Sequence, residues 1–147
     1  ACLNLAEYAI QDFVKEVAIS DMFEKQSSQL AVERADEKTK AFAKKMLEDH
    51  EKSSEELKSL ASGGKVKAEL PTALDSLHQS KLDKLKDLKG DDFTKQYQSD
   101  LVSAHKPAVD LFKRYAEGGD NAELKAWAAK TQPYLEGHLK LAQDLQK

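Results

Sequence analysis

Apolar side chains recur every third or fourth residue through four long stretches of this chain, with only a few breakers between them. In the last stretch Leu124, Trp127, Ala128, Thr131, Leu135, His138, Ala142 and Leu145 share one stripe. That step matches the 3.6-residue turn of an α-helix and not the two-residue alternation of a half-buried strand. Ala, Leu, Lys, Glu, Asp, Gln and Ser dominate, and six glycines and three prolines leave little to interrupt helices. The chain is therefore expected to be all-α.

The breakers divide it. A first helix is expected from about Leu5 to Ala35, with Ile10, Phe13, Val14 and Val17 on one face. The same face continues into Asp21, Glu24 and Ser28, while Ile19, Met22, Phe23 and Leu30 lie on other sides. The simpler reading is that Asp21 and Glu24 are solvated and the core stripe changes side. A second helix, about Glu37 to Ala61, carries Phe42, Met46, His50, Ser53, Leu57 and Leu60 on one stripe and ends at Gly63-Gly64. Acid-then-base pairs four residues apart, Asp36 with Lys40 and Glu48 with Lys52, should support it. Pro71 and Thr72 mark the start of a shorter third helix, with Leu74, Leu77, His78, Leu85 and Leu88 along one face and Gly90 as its stop.

A fourth helix is expected from about Asp91 to Glu117, with Phe93, Tyr97, Leu101, Ala104, His105, Ala108, Phe112 and Tyr115 defining its face. The fifth runs from about Asn121 to Gln146. Pro107 and Pro133 fall inside these two helices and should bend them, leaving the Ser103 and Ala129 carbonyls without helical donors. Short turns after Ala35 and Glu117 imply two antiparallel hairpins. "KAFAKKML" at Lys40 and "KAWAAKTQ" at Lys125 echo each other in the second helix of each hairpin. The expected architecture is one domain over residues 1–147, a four-helix bundle with an additional short helix between its hairpins.

Composition narrows the partners. The 23 basic and 26 acidic residues are well mixed, and the net charge is −3. With no basic patch, nucleic acid is not an expected partner. A single cysteine, Cys2, rules out an intramolecular disulfide and a thiolate metal cluster. Its place near the start makes it a candidate for a lipid anchor, with a plain thiol the simpler reading. No segment approaches the ~20 apolar residues of a membrane span. No zinc-protease, phosphate-loop, dinucleotide-binding or nucleophile-elbow motif occurs, and no catalytic residue is indicated.

The four histidines, His50, His78, His105 and His138, each fall on or beside an apolar stripe. For any one of them the ordinary explanation is a core imidazole bonded to a carboxylate or carbonyl. Their heights suggest more. Glu24 lies 12 residues before Asp36 and His50 lies 14 after it, which places them ~18 and ~21 Å from one turn. His105 is ~20 Å from the other turn and His138 ~28 Å. A layer of Glu24, His50 and His105 is expected, with His138 in a neighbouring layer. It has two versions. One is a hydrogen-bonded network without an ion, which is the simpler. In the other, Glu24, His50, His105 and His138 ligate a divalent metal such as zinc, copper or iron. Carboxylate-bridged di-iron bundles need Glu-x-x-His pairs. Leu47, Val102 and Leu135 stand three residues before His50, His105 and His138, so that chemistry is disfavoured.

Several segments together resemble one bacterial family. They are "FVKEVAISDMFE" from Phe13, "KAFAKKMLEDHEKSSEELKSLA" from Lys40, "LPTALDSLHQSKLDKL" from Leu70, "HKPAVDLFKRYAEGG" from His105 and "LKAWAAKTQPYLEGHLKLA" from Leu124. The family is domain of unknown function 4142, exported helical proteins placed near the ferritin-like bundles, and the resemblance covers almost the whole chain. It implies a ferritin-like bundle in the bacterial envelope, periplasmic or associated with the outer membrane, with no established activity. Glu24, Asp49-His50, His78, His105, His138 and Pro133 match the family's recurrent residues. Ser20 and Asp21 replace helix-one glycines, Ala104 replaces an Asp before the fourth-helix histidine, and Pro107 is a departure.

The functional expectation is a non-enzymatic, stress-associated envelope protein that holds a metal ion or small ligand among core histidines. The alternatives are a metal-dependent redox enzyme of ferritin-like type, and a scaffold whose helix faces bind a partner protein.

Overall fold

The computed structural model describes residues 5–66 and 68–147. Cys2, the candidate anchor, lies outside the described residues. Five helices follow in order: α1 (Leu5–Arg34), α2 (Glu37–Ser62), α3 (Ser76–Lys86), α4 (Gly90–Gly118) and α5 (Ala122–Leu145). The described residues contain no strand. Four long helices form the bundle, and the short one lies between the two hairpins, as the periodicity implied.

Local chemistry sets the boundaries. Asp36 starts α2 by accepting a hydrogen bond from the Thr39 amide (2.8 Å), and Asn121 starts α5 by accepting from the Leu124 amide (2.9 Å). Gly63 caps α2, and Gly64 turns the chain away at φ +77°, a left-handed conformation that side chains disfavour. Asp36 is engaged as a cap, so Lys40 pairs with Glu37 instead (3.7 Å). Lys45 with Asp49 (3.3 Å) takes the place expected of Glu48 with Lys52.

The third helix departs most from expectation. It begins at Ser76 and not at Pro71, because Asp75 caps it through the His78 amide (2.8 Å). Gly90 opens α4 at φ +58° and does not close α3, which ends at Lys86. Leu82 and Leu85 bury its apolar face, while Leu77 stays 61 % exposed. Both α4 and α5 continue past their internal prolines, Pro107 and Pro133.

Hydrogen bonds at the two ends fix the helix directions. At one end the Asp36 amide donates to Thr94 Oγ1 (3.2 Å) and Arg34 donates to the Lys86 carbonyl (2.7 Å), so the α1–α2 turn meets the start of α4. At the other, Asn121 Nδ2 donates to the Lys65 carbonyl (2.8 Å) and Gln11 Nε2 to the Glu69 carbonyl (3.1 Å). Around the bundle, α1 lies beside α2 and α4, and α5 lies beside α4 and α2. Each long helix is antiparallel to both neighbours. The α2–α4 connection is one crossover along the length of the bundle, and its helix α3 packs on α1 and α4.

The core is in two parts. Phe23, Phe42, Met46, Phe93, Tyr97 and Leu101 belong to one apolar cluster. Phe13, Val14, Leu57, Phe112, Trp127 and Leu135 belong to the other. On every long helix the passage between clusters falls at a polar stretch: Asp21–Glu24, Asp49–His50, His105 and His138.

Candidate metal centre

That boundary is a layer of buried polar side chains, one helix contributing to each corner. Glu24 of α1 is 2 % exposed, His50 of α2 5 %, His105 of α4 0 % and His138 of α5 4 %. The expected layer of Glu24, His50 and His105 is present, and the simpler reading in which Asp21 and Glu24 face solvent fails: the Asp21 side chain is only 13 % exposed. The core stripe does not change side at this point. It stays inside, and the polar groups find partners on α2 and α4.

The expectation that His138 sits in a neighbouring layer is also corrected. Its ring centroid lies 5.7 Å from that of His50 and 5.8 Å from that of His105, no farther than the 6.2 Å between His50 and His105. The height estimate counted from Gly119, whereas helical rise begins at Ala122. From there His138 stands ~24 Å up its helix against ~20 Å for His105, a gap that an imidazole side chain spans.

Each ring is held through one nitrogen. His50 Nδ1 lies 2.7 Å from Asp21 Oδ1, His105 Nδ1 2.7 Å from the Leu101 carbonyl, and His138 Nε2 2.7 Å from Asp49 Oδ2. The acceptors are themselves supported. Ser54 Oγ donates to Asp21 Oδ2, Lys25 lies 3.6 Å from Asp21, and Lys45 lies 3.3 Å from Asp49. In a neutral ring such an acceptor fixes which nitrogen carries the proton and turns the other, with its lone pair, elsewhere.

The other three nitrogens, His50 Nε2, His105 Nε2 and His138 Nδ1, are buried and have no hydrogen-bond partner, and neither does Glu24 Oε1. His50 Nε2 is 2.8 Å from Glu24 Oε2, a close ion-pair contact once His50 is protonated, and His105 Nδ1 is 3.3 Å from Glu24 Oε1. One nitrogen from each of the three rings lies within 4.8 Å of the other two. Nitrogens bound tetrahedrally to zinc at ~2.0–2.1 Å would be ~3.3 Å apart, so closure on an ion needs each ring to move by about an ångström. A buried polar atom left unpaired costs roughly 1–3 kcal/mol. An ion or a water could satisfy such atoms.

Charge follows the same geometry. Burial alone would raise the Glu24 carboxyl, but the His105, His50 and His138 rings outweigh it and hold it at about 2. Burial would lower His50, but the Glu24 and Asp21 carboxylates prevail and raise it to about 10. His138 is pushed down by burial, which the Asp49 hydrogen bond only partly offsets. With no ion present, the layer therefore holds a proton on His50 beside the Glu24 carboxylate.

His78 stands apart. Its Nδ1 lies 2.6 Å from Asp75 Oδ1, and its ring meets Phe23 edge-on at 5.6 Å. Sequence reasoning placed Asp49 beside the site but missed Asp21 as the His50 acceptor and the Leu101 carbonyl as the His105 acceptor. The spacing carried a usable signal for Leu101, which lies four residues before His105, one helical turn away.

Beside the layer lies a cavity of about 270 Å³ whose lining includes Glu24 and His50. A smaller one, about 80 Å³, reaches His50 and His138 from between α2 and α5.

A family model described as Domain of unknown function (DUF4142) matches residues 4–145. No curated protein and no solved structure matches the chain.

Proposed function

This chain belongs to the DUF4142 family, whose description assigns no role, and from the site itself we propose that it binds one divalent transition-metal ion through His50, His105, His138 and Glu24. One observation carries the reading. Three imidazoles from three helices each have one nitrogen fixed by an acceptor, and one nitrogen from each ring lies within 4.8 Å of the other two. A hydrogen-bonded network accounts for His50, whose Nε2 faces Glu24 Oε2 at 2.8 Å, but not for the buried, unpaired His105 Nε2 and His138 Nδ1. It would use the free nitrogens, since leaving them buried and unpaired costs free energy.

The donor set has three nitrogens, one carboxylate and no thiolate. It suits zinc, copper or iron over calcium or magnesium, which prefer all-oxygen shells. No Glu-x-x-His pair is present to hold a second ion, so the centre is mononuclear. In this reading the protein is a binding module of the bacterial envelope, a location that rests on the family resemblance, and the fold relationship to ferritin-like bundles rests on it too. Fractionation of the source cell tests the location.

The binding itself is tested on protein stripped with chelator and titrated with cobalt(II) or zinc(II). One equivalent should bind, with a cobalt visible spectrum typical of nitrogen and oxygen ligands. His50→Ala and His105→Ala should each abolish that uptake. Uptake by both variants equal to wild type would remove the reading and leave the hydrogen-bonded network.

A further inference from the structure

The cavity beside the layer has a wall that is mainly apolar, with Val17, Phe23, Leu57, Phe112, Trp127 and Leu135 around it. Small residues of α1 and α4, Ser20, Ala104 and Ala108, also line it. One end of it reaches the layer at Glu24 and His50. Its volume, about 270 Å³, is somewhat under twice the ~150 Å³ that accommodates benzene. The wall also contains a donor that the protein leaves free. The Trp127 indole nitrogen is buried and has no acceptor within the protein.

Charge at the layer end selects the guest. Asp21 is paired with Lys25 (3.6 Å), and Asp49 with Lys45 (3.3 Å). A divalent ion with Glu24 and three neutral imidazoles then leaves one positive charge, which one monoanion balances. A guest oxygen would add as a fifth ligand, a coordination number that zinc-type centres reach, or would take the place of Glu24 beside the three imidazoles.

Resting on the metal-binding reading, we propose that this cavity takes a small aromatic carboxylate, with its ring among the apolar wall residues and its carboxylate oxygen on the bound ion. The ring then provides affinity by leaving water, and the carboxylate provides orientation and charge balance. An acid without the ring fills only the charged end. An aromatic alcohol fills only the apolar part.

The full chain loaded with one equivalent of cobalt(II) is titrated with benzoate, acetate and benzyl alcohol. The cobalt visible bands and the emission of Trp127, the one tryptophan, are followed together. Benzoate should change both signals and bind at least about tenfold more tightly than acetate. Benzyl alcohol should change the emission with a much smaller effect on the cobalt bands. Ala108→Phe, and separately Ser20→Leu from the opposite wall, should take up cobalt with the wild-type spectrum and lose about tenfold or more in benzoate affinity. Two variants from opposite walls guard against one of them failing to fold. Cobalt uptake without a benzoate response at millimolar concentration, or equal benzoate affinity in a variant that binds cobalt normally, overturns the cavity assignment alone. Failure of the wild type to take up cobalt overturns the metal reading and this one with it.

Discussion

At the scale of single residues, the behaviour of the layer turns on which nitrogen of each ring is occupied. Asp49 holds His138 by one hydrogen bond and touches no other ring of the cluster. Asp49→Asn keeps the shape and weakens the acceptor, so metal affinity should fall by about 10–100-fold without vanishing. Isothermal calorimetry with zinc measures this, and an unchanged affinity would mean that Asp49 does not orient the ligand. The metal-free protein should show its own pH dependence. His50 is raised from 6.5 to about 10, so its contribution to stability is complete below about pH 6.5 and is lost as pH rises through 10. Glu24 is lowered from 4.5 to about 2, so its contribution is complete above about pH 4.5 and is lost as pH falls through 2. His138 is lowered and opposes the pair on the acid side. Melting temperatures of the stripped protein should thus decline from pH 6.5 toward 10. His50→Gln should remove most of that decline; an identical slope in the variant would dissociate it from this ring.

At the scale of elements, the caps are separable from the site. Asp36→Ala removes the acceptor for the Thr39 amide and should cost about 1 kcal/mol. Gly64→Ala places a β-carbon at φ +77° with no neighbour in the way, so its cost, about 1 kcal/mol, is conformational. Chemical denaturation reads both, and neither should alter metal uptake. The helices themselves were legible because their periodicity was continuous and their ends carried cap chemistry. The start of α3 was misplaced because Pro71-Thr72 and Asp75 are both start signals, and only the Asp75 carboxylate is close enough to bond an amide of the helix. Leu77 was placed in the core on periodicity alone, but α3 buries only the narrow face that meets α1 and α4. Glu24 was legible from its height along α1 relative to His50, whereas Asp21, one helical turn before Lys25, looked solvated until α2 supplied His50 and Ser54. The cavity had no signal, since Ser20, Ala104 and Ala108 are distant in sequence or ordinary in type, and they line one cavity only in the folded bundle.

At the scale of the whole molecule, an ion in the layer would bind to all four long helices at once. Binding to the folded state alone stabilises it by about 2.7 kcal/mol at a free concentration one hundredfold above Kd. For a chain of this size that corresponds to a rise in melting temperature of roughly 5–10 °C. Differential scanning calorimetry with and without zinc should show it in the wild type and not in His50→Ala. An equal rise in both would place the ion elsewhere.

The division of the core by a polar layer also bears on how the helices find their alignment. Leu- and Phe-rich stripes alone would tolerate a helix displaced by one turn, ~5.4 Å along its axis, because one apolar side chain replaces another. Displacing α4 by a turn here would drive the His105 imidazole toward Phe23 and Met46 or toward Leu57 and Trp127 of the other helices, and would take it away from Glu24. The layer thus works as a vernier. Each helix has a single mark along its length, and the four marks coincide in one setting of the bundle.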